Sequence, residues 1–119
     1  MDKEKRKRLV ENYNNRTIEG AVFGIRNRIS GRVLLMSQVD LLGGFFQRMK
    51  DAIEKKGQCP VGNCMELTAD WQQLGPINFE FVEYFRMTKE TDMSDKSFAE
   101  EIALTEKLFR EELFDSLYR

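Results

Sequence analysis

The segment AVFGIRNRISGRVLLMSQVDLLGGFFQRM, residues 21–49, predicts a strand, a tight turn, a second strand and the start of a helix. Residues 21–25 are apolar and rich in the β-branched and aromatic types that favour strands. The turn falls at residues 28–31, because Gly31 can adopt a positive φ there. Residues 32–36 are apolar again and form the return strand. Two apolar runs this close together predict a β-hairpin.

A helix follows the hairpin. Ser37 is a favourable N-cap residue, but Gly43 and Gly44 disfavour helix, so regular helix is expected from about Phe45. It is expected to end at residues 55–57, where two lysines precede a glycine. Apolar residues recur along this segment at helical spacing: Leu42, Phe45, Phe46, Met49 and Ile53.

The second half of the chain predicts helix, strand and helix. Asn63 with Glu66 resembles a capping box for a helix that ends at Gly75, and Ser97 with Glu100 resembles a second capping box. Between these helices, residues 77–85 predict a strand with apolar side chains on both faces. The last helix has an apolar face and an acidic opposing face.

This order of elements predicts an α+β fold, a small three-stranded antiparallel sheet flanked by helices. The length of 119 residues suits a single domain with one core. We expect residues 1–18 to form a charged N-terminal helix and residues 19–117 to form the α+β core.

Composition excludes several classes of protein. With 41% hydrophobic and 33% charged residues and no long apolar run, the sequence predicts a globular protein with no membrane segment. No apolar segment follows the charged residues 1–8, so we expect no signal peptide and a cytoplasmic location. It contains no histidine, which removes the usual general base. Cys59 and Cys64 alone cannot supply a four-ligand zinc site, so we expect free thiols, with a local disulfide as the alternative.

Charge is distributed unevenly along the chain. Residues 1–60 contain 13 Lys and Arg against 7 Asp and Glu, whereas residues 61–119 contain 6 against 13. The excess of cations in the first half is compatible with nucleic-acid binding. The alternative is that the two halves pair with each other or that the charges only solvate the surface.

The order of motifs resembles the GIY-YIG nuclease superfamily over roughly residues 20–115. Residues 21–23 and 34–36 stand where that family has Gly-Ile-Tyr and Tyr-Ile-Gly, although neither motif is intact. The other matching positions are Ile25, Asn27 and Gly31 in the hairpin, Leu67–Trp71 and Leu74-Gly75 in the helix, and Asn78–Phe81 in the last strand.

The resemblance implies metal-assisted phosphodiester hydrolysis, with Mg²⁺ or Mn²⁺ needed only if the domain is active. The family's two tyrosines correspond to Phe23 and Leu34, its arginine to Phe45 and its histidine to Met49. None of these four side chains has a hydroxyl or a charge. Only Glu106 matches the family's metal-binding glutamate. We therefore expect the four apolar residues to converge where the family has its active site.

The leading hypothesis is a catalytically inactive GIY-YIG-like domain that acts as a binding module for an unidentified protein, without a cofactor. An alternative is a nuclease with an altered site, in which Arg48 or Lys50 replaces the arginine and Tyr13 or Tyr84 supplies a hydroxyl. A third hypothesis is weak nucleic-acid binding without cleavage. It would use the N-terminal basic cluster and three hairpin arginines: Arg26, Arg28 and Arg32.

Overall fold

The computed structural model of the chain describes residues 17–118. Its central element is strand β1 (Glu19–Asn27). Strands β2 (Val33–Gln38) and β3 (Phe79–Thr88) flank it, and both run antiparallel to it. The predicted α+β class with a three-stranded antiparallel sheet is therefore confirmed. Residues 1–16 of the predicted N-terminal helix lie outside the described residues.

The hairpin turn is closed by Asn27. Its backbone N–H donates to the Arg32 carbonyl at 2.8 Å, and its own carbonyl accepts from the Gly31 N–H at 2.8 Å. Its side-chain Oδ1 also accepts from the N–H groups of Ile29 and Ser30, at 2.8 and 3.2 Å. Gly31 has φ of 79°, so the turn adopts the positive φ that the sequence predicts.

Three helices cover the sheet: α1 (Phe45–Asp51), α2 (Met65–Leu74) and α3 (Asp95–Glu112). The odd-numbered β1 residues Ala21 and Phe23 pack in a buried cluster with Phe46 and Met49 of α1. Ile25 packs in an adjoining cluster with residues of α2. This face of the sheet therefore lies under α1 and α2.

The opposite face of the sheet lies under α3. A Cβ placed on Gly20 would approach Ile102 Cδ1 of α3 to 2.9 Å, so the even-numbered side of β1 faces this helix. Val22 pairs with Phe85 and Phe23 with Glu83, which leaves Tyr84 as the extra residue of a β-bulge. The Tyr84 ring contacts Phe109 of α3 at 5.5 Å between ring centroids. The sheet therefore separates α3 from α1 and α2.

The predicted cap at Ser37 is wrong, because β2 continues through this residue to Gln38. Asp40 instead caps a 3₁₀ turn at Leu41–Gly43, and its carboxylate accepts from the Leu42 N–H at 3.2 Å. Regular helix begins at Phe45, as predicted.

Helix α1 ends in a π-helical turn at Ala52–Lys56, which sequence periodicity does not predict. The Ala52 N–H still bonds the carbonyl of Arg48, four residues back, and shares the carbonyl of Met49, so helical hydrogen bonding continues from α1 into this turn. Gly57 has φ of 60° and donates its N–H to the Ala52 carbonyl, ending the turn where the sequence predicts.

Both predicted capping boxes are wrong. Helix α2 begins at Met65, with Cys64 as an N-cap that makes no side-chain cap bond. Helix α3 begins at Asp95, because the Ser94 hydroxyl accepts from the Ser97 N–H at 3.0 Å and Ser97 therefore lies inside the helix.

The last strand begins and ends later than predicted. Pro76–Asn78 form a 3₁₀ turn in which Ile77 is 80% exposed, and β3 continues to Thr88.

Both cysteines are free thiols, and Cys59 Sγ donates to the Val61 carbonyl. None of the helices in residues 17–118 combines the length and the apolar character that spanning a bilayer requires.

Candidate functional site

Phe23 lies at the centre of an aromatic cluster. Its side chain is fully buried, and its ring lies 5.9 Å from Phe45, 5.0 Å from Phe46 and 5.5 Å from Phe81, measured between centroids. Offset and edge-to-face ring pairs at these distances are favourable. Phe23 therefore has the environment of a core residue.

Three of the four predicted site residues come together. Phe23 and Met49 are buried in one cluster, and Phe45 packs against it. Leu34 packs instead against the adjoining cluster around Trp71, although Phe81 contacts both. These apolar side chains can exclude water but cannot bind Mg²⁺ or Mn²⁺, transfer a proton or stabilise a phosphate.

Glu106 lies on α3, across the sheet from that cluster. Its carboxylate accepts from Arg110 at 3.1 Å, and Arg110 also donates to the Leu35 carbonyl at 3.0 Å. Within residues 17–118, no group of three or more Asp, Glu or Cys side chains is arranged to hold a metal ion. Glu106 is therefore not brought together with Phe23, Phe45 or Met49.

Each hairpin arginine lies beside a carboxylate. Arg26 Nη1 is 2.8 Å and Arg28 Nε is 3.6 Å from Glu80, and Arg32 pairs with Glu66. Exposed pairs of this kind contribute little to stability, but they compensate the positive potential that a phosphate would need. The three arginines thus form a charge-compensated surface.

A polar network that the sequence pattern does not predict joins three distant segments. Asn27 is 1% exposed, and its Nδ2 donates to the Tyr118 hydroxyl at 3.1 Å. The Tyr118 hydroxyl donates to Asp70 Oδ2 at 2.8 Å. The Tyr118 N–H donates to the Val33 carbonyl, which joins the end of the described chain to the edge of β2. No sequence motif links Tyr118 to the other two positions.

The network changes the acidity of Tyr118. Burial, together with hydrogen bonding and proximity to Asp70, raises the pKa of Tyr118 to about 12. The Arg32 guanidinium lies 4.4 Å from the centre of the Tyr118 ring, in cation–π contact. Tyr118 is therefore a neutral hydrogen-bond donor near neutral pH, which suits a structural role.

A pocket of about 380 Å³ lies beside the π-helical turn, on the side of α1 that carries Phe45 and Met49. The seven residues that line it come from α1, the π-helical turn and the loop that follows: Phe45, Arg48, Met49, Asp51, Ala52, Lys56 and Pro60. Its surface is mainly apolar. π-Helical turns occur frequently at functional sites. We name this feature the π-turn pocket.

Two cations of the π-turn pocket make no close ion pair. Among residues 17–118, neither Arg48 nor Lys56 lies within ion-pair distance of a carboxylate. Asp51 is paired within its own helix, because Gln47 donates to it at 2.9 Å and Lys55 lies 3.4 Å away. These contacts, the Gln47 hydrogen bond above all, lower the pKa of Asp51, and the nearby charge of Lys56 adds to this effect. The pocket therefore has an apolar floor and a rim with two cations and one carboxylate, which is net positive.

A second pocket, of about 420 Å³, lies on the other side of the π-helical turn. Its lining includes Ile53, Glu54 and Ile77, together with the ion pair of Arg28 and Glu80. Since charges of both signs are present, this pocket has no preference for a ligand of one charge.

Comparison with protein-family models, with curated protein sequences and with solved structures found no match for this chain.

Proposed function

We propose that this chain is a catalytically inactive domain with a GIY-YIG-like fold that acts as a binding module for a protein partner. The observation that carries the proposal is the complete burial of Phe23 among three aromatic rings. A buried phenyl ring cannot relay a proton, and it occupies space that an active site would need for substrate and water.

The apolar replacements favour binding over catalysis. Phe45 and Met49 pack against Phe23 instead of presenting charge to a phosphate. Burial of such side chains stabilises a fold by about 25 cal/mol per Å² of apolar surface. Side chains that stabilise the fold in this way are more useful to a domain that binds a partner than to one that catalyses a reaction.

In the altered-nuclease hypothesis, the cation and the hydroxyl that would act on a phosphate do not share a surface. Arg48 and Lys50 belong to α1, whereas Tyr84 contacts Phe109 of α3 on the opposite face of the sheet. A cation and a hydroxyl on opposite faces cannot act on one phosphate. Tyr13, the other candidate hydroxyl, lies outside the described residues.

A nuclease assay tests the proposal. Purified protein is incubated with plasmid and linear DNA in Mg²⁺ or Mn²⁺, and we expect no cleavage above that of buffer. Loss of one positioned charge stabiliser typically lowers a rate by about 10²–10³. We expect Phe23→Tyr to remain inactive, because Phe45 and Met49 still provide no cation. Metal-dependent cleavage that disappears in Glu106→Ala would refute an inactive domain.

A further inference from the structure

We infer that the π-turn pocket binds an acidic peptide segment that carries one bulky apolar side chain. The inference rests on the proposed function, because it specifies the partner that the binding module recognises. Three features of the pocket carry it: an apolar floor, a rim with two cations against one carboxylate and a shallow position at the surface.

The floor provides a site for an apolar side chain. Phe45, Met49, Ala52 and Pro60 contribute apolar surface, and the volume of about 380 Å³ is at the lower end of the range for ligand pockets. Ala52 lies between the two cations along the chain, and its side chain ends at Cβ, which leaves the space above it open. A volume of this size suits the side chain of a leucine or phenylalanine anchor.

The rim provides the charge preference. Arg48, Ala52 and Lys56 follow one another at intervals of four residues, a spacing that brings side chains to one side of a helix. Neither cation lies within ion-pair distance of a carboxylate among the described residues, and Asp51, the one acid of the lining, is bonded to Gln47 and Lys55. A carboxylate on each side of an apolar anchor would complement the two cations without breaking a close ion pair.

The shallow position favours a peptide over a free small molecule. Of the seven lining residues only Met49 is buried, so a small ligand would leave much of its surface in water. Small-molecule sites usually bury most of the ligand. A peptide can continue across the rim and gain contacts on both sides of its anchor.

Nucleic acid fits this part of the molecule less well. Duplex binding relies on many phosphate contacts over a broad basic surface. The hairpin arginines that could extend such a surface are compensated by Glu80 and Glu66. An apolar floor between only two cations matches an acidic peptide better.

Fluorescence anisotropy with labelled hexapeptides tests the inference on the full chain. The probe has the sequence EDLFDE. Its comparison peptides are QNLFNQ, which lacks the charges, EDSSDE, which lacks the apolar anchor, and KKLFKK, which reverses the charges. We expect EDLFDE to bind at least about tenfold more tightly than each of the other three.

Variants of the protein locate the binding site. The double substitution Arg48→Gln with Lys56→Gln should weaken EDLFDE about tenfold and leave QNLFNQ nearly unchanged. The matched control is Lys55→Gln in the same turn, because the Lys55 ammonium is paired with Asp51 and does not line the pocket. It should change the affinity less than about twofold. Ala52→Leu should weaken every peptide that carries the apolar anchor, and urea unfolding of each variant checks that it is folded.

Several results would overturn the inference. The first is that EDLFDE and QNLFNQ bind equally well. The second is that Lys55→Gln weakens binding as much as the double variant does. The third is that duplex DNA binds more tightly than EDLFDE and that the same double variant weakens this DNA binding. Each of the first two would leave the inactive module intact if the nuclease assay stays negative. DNA cleavage, by contrast, would refute the module whatever the peptides do.

Discussion

Asn27 shows how one side chain can organise a fold. Its Oδ1 accepts two turn N–H groups, and its Nδ2 reaches the Tyr118 hydroxyl. Every buried side-chain N or O atom in the described part of the chain has a hydrogen-bond partner. Because both the oxygen and the nitrogen of this buried amide are hydrogen-bonded, Asn27 holds the hairpin turn against Tyr118. Loss of one partner would leave a buried polar group unsatisfied.

We expect Tyr118→Phe to lower the free energy of unfolding by about 1–2 kcal/mol, because Asn27 Nδ2 would keep only Asp70 Oδ2, at 3.5 Å, as an acceptor. The measurement is urea unfolding near neutral pH. The matched control is Tyr84→Phe: the Tyr84 ring packs on Phe109, and its hydroxyl has no hydrogen-bond partner among residues 17–118. This control should change stability by less than about 0.5 kcal/mol. Equal losses in the two variants would show that the network contributes nothing specific.

Among the elements, the hairpin and the start of α1 could be predicted from sequence because local residues determine them. The turn requires positive φ at Gly31, and the Gly43-Gly44 pair delays regular helix to Phe45. The start of α3 was predicted three residues late, since Ser94 and Ser97 are equally good cap types and only the backbone decides between them.

The π-helical turn and its pocket could not be predicted in this way. Ala52–Lys56 are favourable helix residues, and nothing in their composition distinguishes π from α hydrogen bonding. Pro60 reaches the pocket from a loop, so the site exists only after tertiary folding. By contrast, the convergence of Phe23, Phe45 and Met49 follows from a hairpin that packs against the next helix.

The close contact between β1 and β2 depends on a missing side chain. A Cβ on Gly24 would lie 2.7 Å from the Leu34 carbonyl oxygen and 3.0 Å from Val33 Cγ1. We expect Gly24→Ala to destabilise the protein by about 1–3 kcal/mol, because β2 must shift to admit the methyl group. Thermal or urea unfolding measures this loss.

Gly62→Ala is the control for this substitution. A Cβ at Gly62 would meet no atom within 4 Å, and the residue does not have a positive φ. Its stability should stay within about 0.5 kcal/mol of the unsubstituted protein. If Gly24→Ala were equally neutral, the spacing of the two strands would not be limited by the glycine.

In the whole molecule, the sheet divides the charged groups between two faces. Helix α3, with its many acidic residues, covers one face, while α1 and the π-helical turn on the other face carry more cations than acids. The net charge of the full sequence is only −1, so no strong overall field attracts DNA. This distribution favours local recognition at one pocket over broad electrostatic binding.

We therefore expect weak DNA binding, with a duplex Kd no tighter than about 10⁻⁶ M at physiological salt. Glu80→Gln would release Arg26 and Arg28 from their shared carboxylate, so it should tighten binding severalfold and steepen the dependence of log K on log salt. Glu100→Gln removes the same charge from an exposed α3 residue that has no cationic partner among the described residues, and its effect should be smaller. Anisotropy titrations at several salt concentrations measure both quantities. Submicromolar binding by the unsubstituted protein, or equal effects of the two substitutions, would mean that the hairpin arginines are available to phosphates despite their ion pairs.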